Sequence, residues 1–170
     1  MELGKMYFYS ATIVDWRHLL MKDVFKDQII DSLYYLTSKN YINLYGFVIM
    51  PNHIHLIFEM NNMNGKEMPN ASLMKYTSHK FKKMVSEDVL KNYAVQNSNR
   101  QYQFWQRNPL AIELFSRKVI EQKLDYVHAN PVKGKWNLCK DIIDYKYSSC
   151  AFYETGQDNF GILKHYMEKM

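Results

Sequence analysis

Apolar residues fall along this chain with two periods, and the alternation between them predicts its elements. Met6 to Val14 (MYFYSATIV) is dense in aromatic and β-branched residues and predicts a first strand. From Asp23 to Ser38, Val24, Phe25, Ile29, Ile30, Leu33 and Leu36 recur at spacings of three and four, the stripe of an amphipathic helix. Ile42 to Met50 predicts a second strand, Pro51-Asn52 a tight turn, and His53 to Met60 a third strand returning on the second. Asn61 to Asn70 (NNMNGKEMPN) has the composition of an exposed loop. A long helix is expected from about Ser72 to Lys91, with Leu73, Thr77, Phe81 and Met84 or Val85 on its inner face. Tyr102 to Gln106 (YQFWQ) predicts a short fourth strand, and Asn108-Pro109 a break. Glu113 to about Ala129 predicts a last helix, ended by Pro131, which disfavours helical geometry at Asn130. The segment from Cys139 onward shows no dominant period.

The order strand, helix, strand, strand, helix, strand, helix implies an α+β fold. It matches a ferredoxin-like sandwich with an antiparallel β-sheet and an added C-terminal helix, in a single domain spanning residues 1–170. Many activities share that fold, so function must come from particular side chains.

In the third strand His53, His55, Ile57 and Glu59 share one face, and Ile54, Leu56 and Phe58 share the other. The two histidines project side by side, roughly 7 Å apart at the backbone, which suits two imidazoles on one divalent metal. Alone the pair is weak evidence, since a His-x-His strand is more often surface or hydrogen-bonded histidine. A third ligand is expected to come from elsewhere. The last helix offers one in Tyr126-Val127-His128-Ala129-Asn130-Pro131. Asn130 lies one turn after Tyr126 on the same helical face. His128 points elsewhere if the helix stays regular, and stays a candidate if its end does not.

Composition narrows the partners. Apolar residues make up 47%, which excludes a disordered chain. The net charge of +5 leans toward a polyanionic partner, and 14 Tyr and 9 Phe supply rings for a core and for stacking on unpaired bases. Lys75, His79, Lys82 and Lys83 form a basic stripe on the long helix, either an ordinary solvated face or a phosphate-binding surface. Arg107, Arg117, Lys118, Lys133 and Lys135 extend it around the tyrosine helix. Two cysteines, Cys139 and Cys150, give no metal-knuckle spacing and no disulfide framework. No run approaches the roughly 18 apolar residues of a membrane span, and the N-terminus does not open a signal peptide. A cytoplasmic, nucleoid-associated protein is expected.

Together, VIMPNHIHLIFE and LDYVHANPVKGKW resemble the REP-associated tyrosine transposases and the small single-tyrosine insertion-sequence transposases of the HUH endonuclease superfamily. FWQRN before the tyrosine helix and DYKYSSCAFY after it resemble the family's flanking segments, and the likeness covers roughly Lys5 to Tyr153. One departure is Lys133-Gly134-Lys135-Trp136, where members more usually carry Arg-Ala-Gly-Leu, which bears on substrate preference more than on chemistry. The resemblance implies Tyr126 as the nucleophile, with His53, His55 and Asn130 holding Mg²⁺ or Mn²⁺. It implies cleavage and rejoining of hairpin-forming single-stranded DNA through a 5′-phosphotyrosine and a free 3′-OH, without ATP. Some relatives are homodimers and others monomers.

Other readings predict different features. A non-cleaving hairpin-binding descendant of a transposase would not need every catalytic position filled, as here. A relaxase or replication initiator is usually larger, often with more histidines or a second tyrosine. A ferredoxin-like RNA-binding domain would leave the histidine pair and the Tyr/Asn helix unexplained.

Overall fold

The computed structural model describes residues 1–97 and 100–169 of the chain. Its elements are β1 (Met6–Thr12), α1 (Asp23–Ser38), β2 (Ile42–Ile49), β3 (His53–Met60), α2 (Pro69–Met84) and α3 (Glu87–Leu90). These are followed by β4 (Ala94–Asn97), β5 (Arg100–Tyr102), β6 (Leu110–Glu113), α4 (Arg117–Ala129) and α5 (Cys150–Thr155). Four strands form one antiparallel sheet in the order β2-β3-β1-β6, while β4 and β5 pair separately. The fold is thus mixed α+β, as the residue periods predict.

The sheet is covered on both faces, which explains why β2 and β3 are buried almost throughout. On one face α1 and α2 bring Phe25, Ile29, Leu33, Leu73 and Phe81 against Tyr9, Phe47, Ile54, Leu56 and Phe58. On the other, Ile120, Leu124 and Val127 of α4 pack on Met6, Phe8, Val48 and Ile57. Period two puts His53 and His55 on this second face, beneath α4.

Close seating of α4 depends on Gly46. The pairing of β2 with β3 shifts between Leu44 and Gly46, leaving Tyr45 as an extra residue in β2. A Cβ at Gly46 would sit 2.6 Å from Leu124 Cδ2, and Leu124 is itself buried. Gly46→Ala should therefore displace α4 and lower stability by about 1–3 kcal/mol, read as a fall in melting temperature.

Three elements differ from expectation. The fourth strand of the sheet is Leu110–Glu113, not Tyr102–Gln106. In the latter segment Phe104 and Trp105 are buried as a plug at the end of β1, with Trp105 Nε1 donating to Thr77 Oγ1 at 2.9 Å. Its pairing with the sheet is limited to a bridge between Trp105 and Ile13 just past β1, and its aromatic density serves mainly the core. The last helix starts after Ser116, whose hydroxyl accepts from the Val119 N–H, because Glu113 still pairs with Tyr7. The long helix starts at Pro69, in the favoured first-turn position, and stops at Met84; Ser86 then caps the short α3. The residues after Cys139 cover the outer edge of β2, where Ile49 N donates to Tyr147 O, Ser149 N to Phe47 O and Lys164 N to Leu44 O.

Candidate active site

The turn after β2 and the end of α4 meet over the second face of the sheet. His53, His55 and Asn130 are buried there, whereas Tyr126 is 42% exposed. Asn130 ends α4, and its amide Nδ2 donates back to the Tyr126 carbonyl at 3.4 Å, satisfying an acceptor at the helix terminus. That leaves Asn130 Oδ1 facing His53 Nε2 at 3.3 Å.

The protonation pattern of this contact follows from its neighbours. Asn52 Nδ2 donates to the Trp16 carbonyl at 3.2 Å, so Asn52 Oδ1 faces His53 Nδ1 at 2.7 Å and accepts its proton. Burial holds His53 below the ordinary histidine range, with the Asn130 contact working against it. His53 is therefore neutral at pH 7, with its Nε2 lone pair aimed at the Asn130 oxygen. Two acceptors thus face each other. Turning the Asn130 amide over only moves the conflict to the Tyr126 carbonyl.

His55 is in the same state. Burial first, then the competing protonation of His53 beside it and the Lys123 charge, push its pKa down to about 3, and its Nδ1 is buried without a hydrogen-bond partner. The two imidazole rings lie 4.7 Å apart between centroids. Neutral imidazoles are the metal-binding form. The opposed acceptors and the orphaned nitrogen fit a cation held by two imidazoles and an amide oxygen. Among the described residues no group of three or more His, Cys, Asp or Glu has metal-binding geometry, so the set carries no protein charge.

Tyr126 stands beside this set. Its ring centroid is 5.3 Å from that of His55 and 6.0 Å from that of Phe8, which itself stacks on His55 at 5.2 Å. The amines of Lys123 and Lys133 lie 5.7 and 5.1 Å from the centre of the tyrosine ring. All these groups line one cleft of about 680 Å³, lined also by Ser10, Thr12, Leu110, Trp16 and Trp136.

The structure thus brings together His53, His55, Tyr126, Asn130, Lys133 and Lys135 from the expected set. His128 points away, its Nε2 hydrogen-bonded to Ser149 Oγ at 2.9 Å. Lys75, His79, Lys82 and Lys83 lie on α2, across the sheet from the cleft, and Lys75 pairs with Glu67 at 2.6 Å. Arg107 is exposed in the link before β6, and Arg117 pairs with Glu121 at 2.8 Å. Sequence reasoning missed Lys123, Asn52 and Trp16. Lys123 was detectable as the residue one helical turn before Tyr126.

No protein-family profile matches the chain, and no curated protein matches it. Among solved structures, a REP-associated tyrosine transposase bound to a REP hairpin superposes with a TM-score of 0.63 and 18% identity, over 94% of this chain and 85% of that one. A candidate transposase from Deinococcus radiodurans R1 matches with a TM-score of 0.45 and 16% identity, over 75% of this chain and 95% of that one. At 18% identity the first likeness establishes one thing: this chain has the fold of a REP-associated tyrosine transposase, the family its two motifs resemble.

Proposed function

We propose that this chain is a metal-dependent single-stranded DNA transposase of the REP-associated tyrosine type, cleaving and rejoining DNA at hairpin-forming sequences. The observation that carries the reading is the opposed pair His53 Nε2 and Asn130 Oδ1, placed beside an exposed tyrosine and two lysine amines in one cleft. The shared fold with a transposase bound to a REP hairpin gives it independent support.

His53, His55 and Asn130 would hold Mg²⁺ or Mn²⁺, which when bound supplies Lewis-acid polarisation of the scissile phosphate and neutralises its charge. Asn52 keeps His53 in the ligating tautomer. Phe8 and His55 fix the Tyr126 ring, leaving its hydroxyl open to the cleft. Lys123 and Lys133 draw the phosphate toward that hydroxyl. The Tyr126 oxygen attacks phosphorus as the bond from phosphorus to the 3′-oxygen breaks. The phenolic proton leaves to solvent, and the departing oxygen takes one up to become a 3′-OH. The 5′-phosphotyrosine retains the phosphodiester energy, so attack by another 3′-OH restores the tyrosine and joins the strands.

Incubation with labelled single-stranded hairpin DNA and Mn²⁺ tests this reading. A denaturation-resistant protein–DNA adduct is expected, and binding without an adduct across a broad hairpin pool would leave only a DNA-binding protein. Lys133→Ala should weaken single-strand binding uniformly across sequences and flatten its salt dependence by about 0.7 in the logarithmic slope.

A further inference from the structure

Trp16 is hard to explain as a structural residue. It is 60% exposed, and its ring makes no aromatic or cation–π contact among the described residues. Both Asp15 and Trp16 occupy left-handed backbone, at φ 54° and 56°, a conformation that a bulky side chain disfavours and glycine accepts. The fold itself would be better served by a small residue at this position.

The strained turn is tied to the candidate active site. Asn52 donates from Nδ2 to the Trp16 carbonyl and accepts at Oδ1 from His53, so one amide fixes both the turn and the first histidine. Trp16 lines the same cleft as Tyr126, Lys123 and Lys133.

Resting on the proposed strand-transfer reading, we infer that Trp16 is a stacking platform for an unpaired nucleobase next to the phosphate that meets Tyr126. An indole face accepts any base, and the cleft lysines hold the neighbouring backbone. The residue would position the strand and take no part in bond making. Asn52 would keep the platform in register with His53, so that seating a base also seats its phosphate.

The test is single-strand binding by protein carrying Tyr126→Phe, so that cleavage does not contribute. A hairpin oligonucleotide with a single-stranded flank is scanned with one abasic site, and affinities are measured with Trp16 intact and with Trp16→Ala. With Trp16 intact, one abasic position should weaken binding markedly. Trp16→Ala should weaken binding of the unmodified strand by about 5- to 150-fold and abolish sensitivity at that position. Trp16→Phe should retain most of the affinity. Trp16→Gly should bind as poorly as the alanine variant yet melt higher than wild type, because glycine relieves the turn. Equal binding by wild type and Trp16→Ala, or an abasic effect that survives Trp16→Ala, would overturn the inference. If base-sensitive binding follows this pattern while wild type forms no adduct, the platform stands and the cleavage reading falls.

Discussion

Tyr126→Phe should abolish covalent capture of DNA while changing single-strand affinity by no more than about twofold. The substitution removes one oxygen from a side chain already open to the cleft. The ring keeps its contacts with Phe8 and His55, and no described side chain loses a hydrogen bond to the hydroxyl. The thermal midpoint should therefore hold. Loss of the adduct with binding and stability intact separates a nucleophile from a packing residue, because a packing role would move all three measurements together. Gel-resolved adduct yield, an affinity titration and a melting curve give these readouts.

The second large effect concerns the histidines. Mn²⁺ at about a hundredfold over its dissociation constant should stabilise the wild-type protein by about 2.7 kcal/mol, roughly 5–11 °C in melting temperature for a chain of this size. His53→Ala and His55→Ala should each erase most of that rise, and this readout needs no DNA. Adduct formation should fall by about 10²- to 10⁴-fold, the rate equivalent of several kcal/mol of charge stabilisation at the phosphate. The metal-free melting point of each variant calibrates the loss of a buried ring. His128→Ala removes an equally buried histidine bound to Ser149, and it should leave the metal-induced rise in place.

The sequence carried the first half of the fold more clearly than the second. The ranges of α1 and β3 agree with hydrophobic spacing alone, because both faces of β3 and one face of α1 are buried in contiguous cores. Tyr102–Gln106 makes only a short bridge past the end of β1 and not a full strand, because aromatic residues favour strands and cores alike and here Phe104 and Trp105 mainly fill the core. The true edge strand, Leu110–Glu113, is exposed along its length and so lacks the contrast that marks a buried strand. The segment after Cys139 is legible only from the β2 edge it covers, a contact made across about a hundred residues.

The candidate site shows the same division. The i, i+2 histidines and the i, i+4 Tyr126 and Asn130 follow from the geometry of one strand and one helix. Asn52 and Trp16 did not stand out, since their roles depend on a left-handed turn and a hydrogen bond spanning 36 residues. The basic stripe on α2 was visible as spacing, but spacing does not tell which face of the sheet a helix covers, and α2 covers the one opposite the cleft.

If Tyr126 is the nucleophile, it becomes linked to DNA. Wild-type protein can be incubated with single-stranded hairpin DNA and Mn²⁺, digested with trypsin, and its DNA-linked peptide identified by mass spectrometry. Cleavage after Lys123 and Lys133 yields Leu124–Lys133, in which Tyr126 is the sole tyrosine. The nucleotide is expected on that peptide, with a free 3′-OH on the released strand. DNA attached to any other peptide, or strand cleavage with no attached peptide, would contradict it.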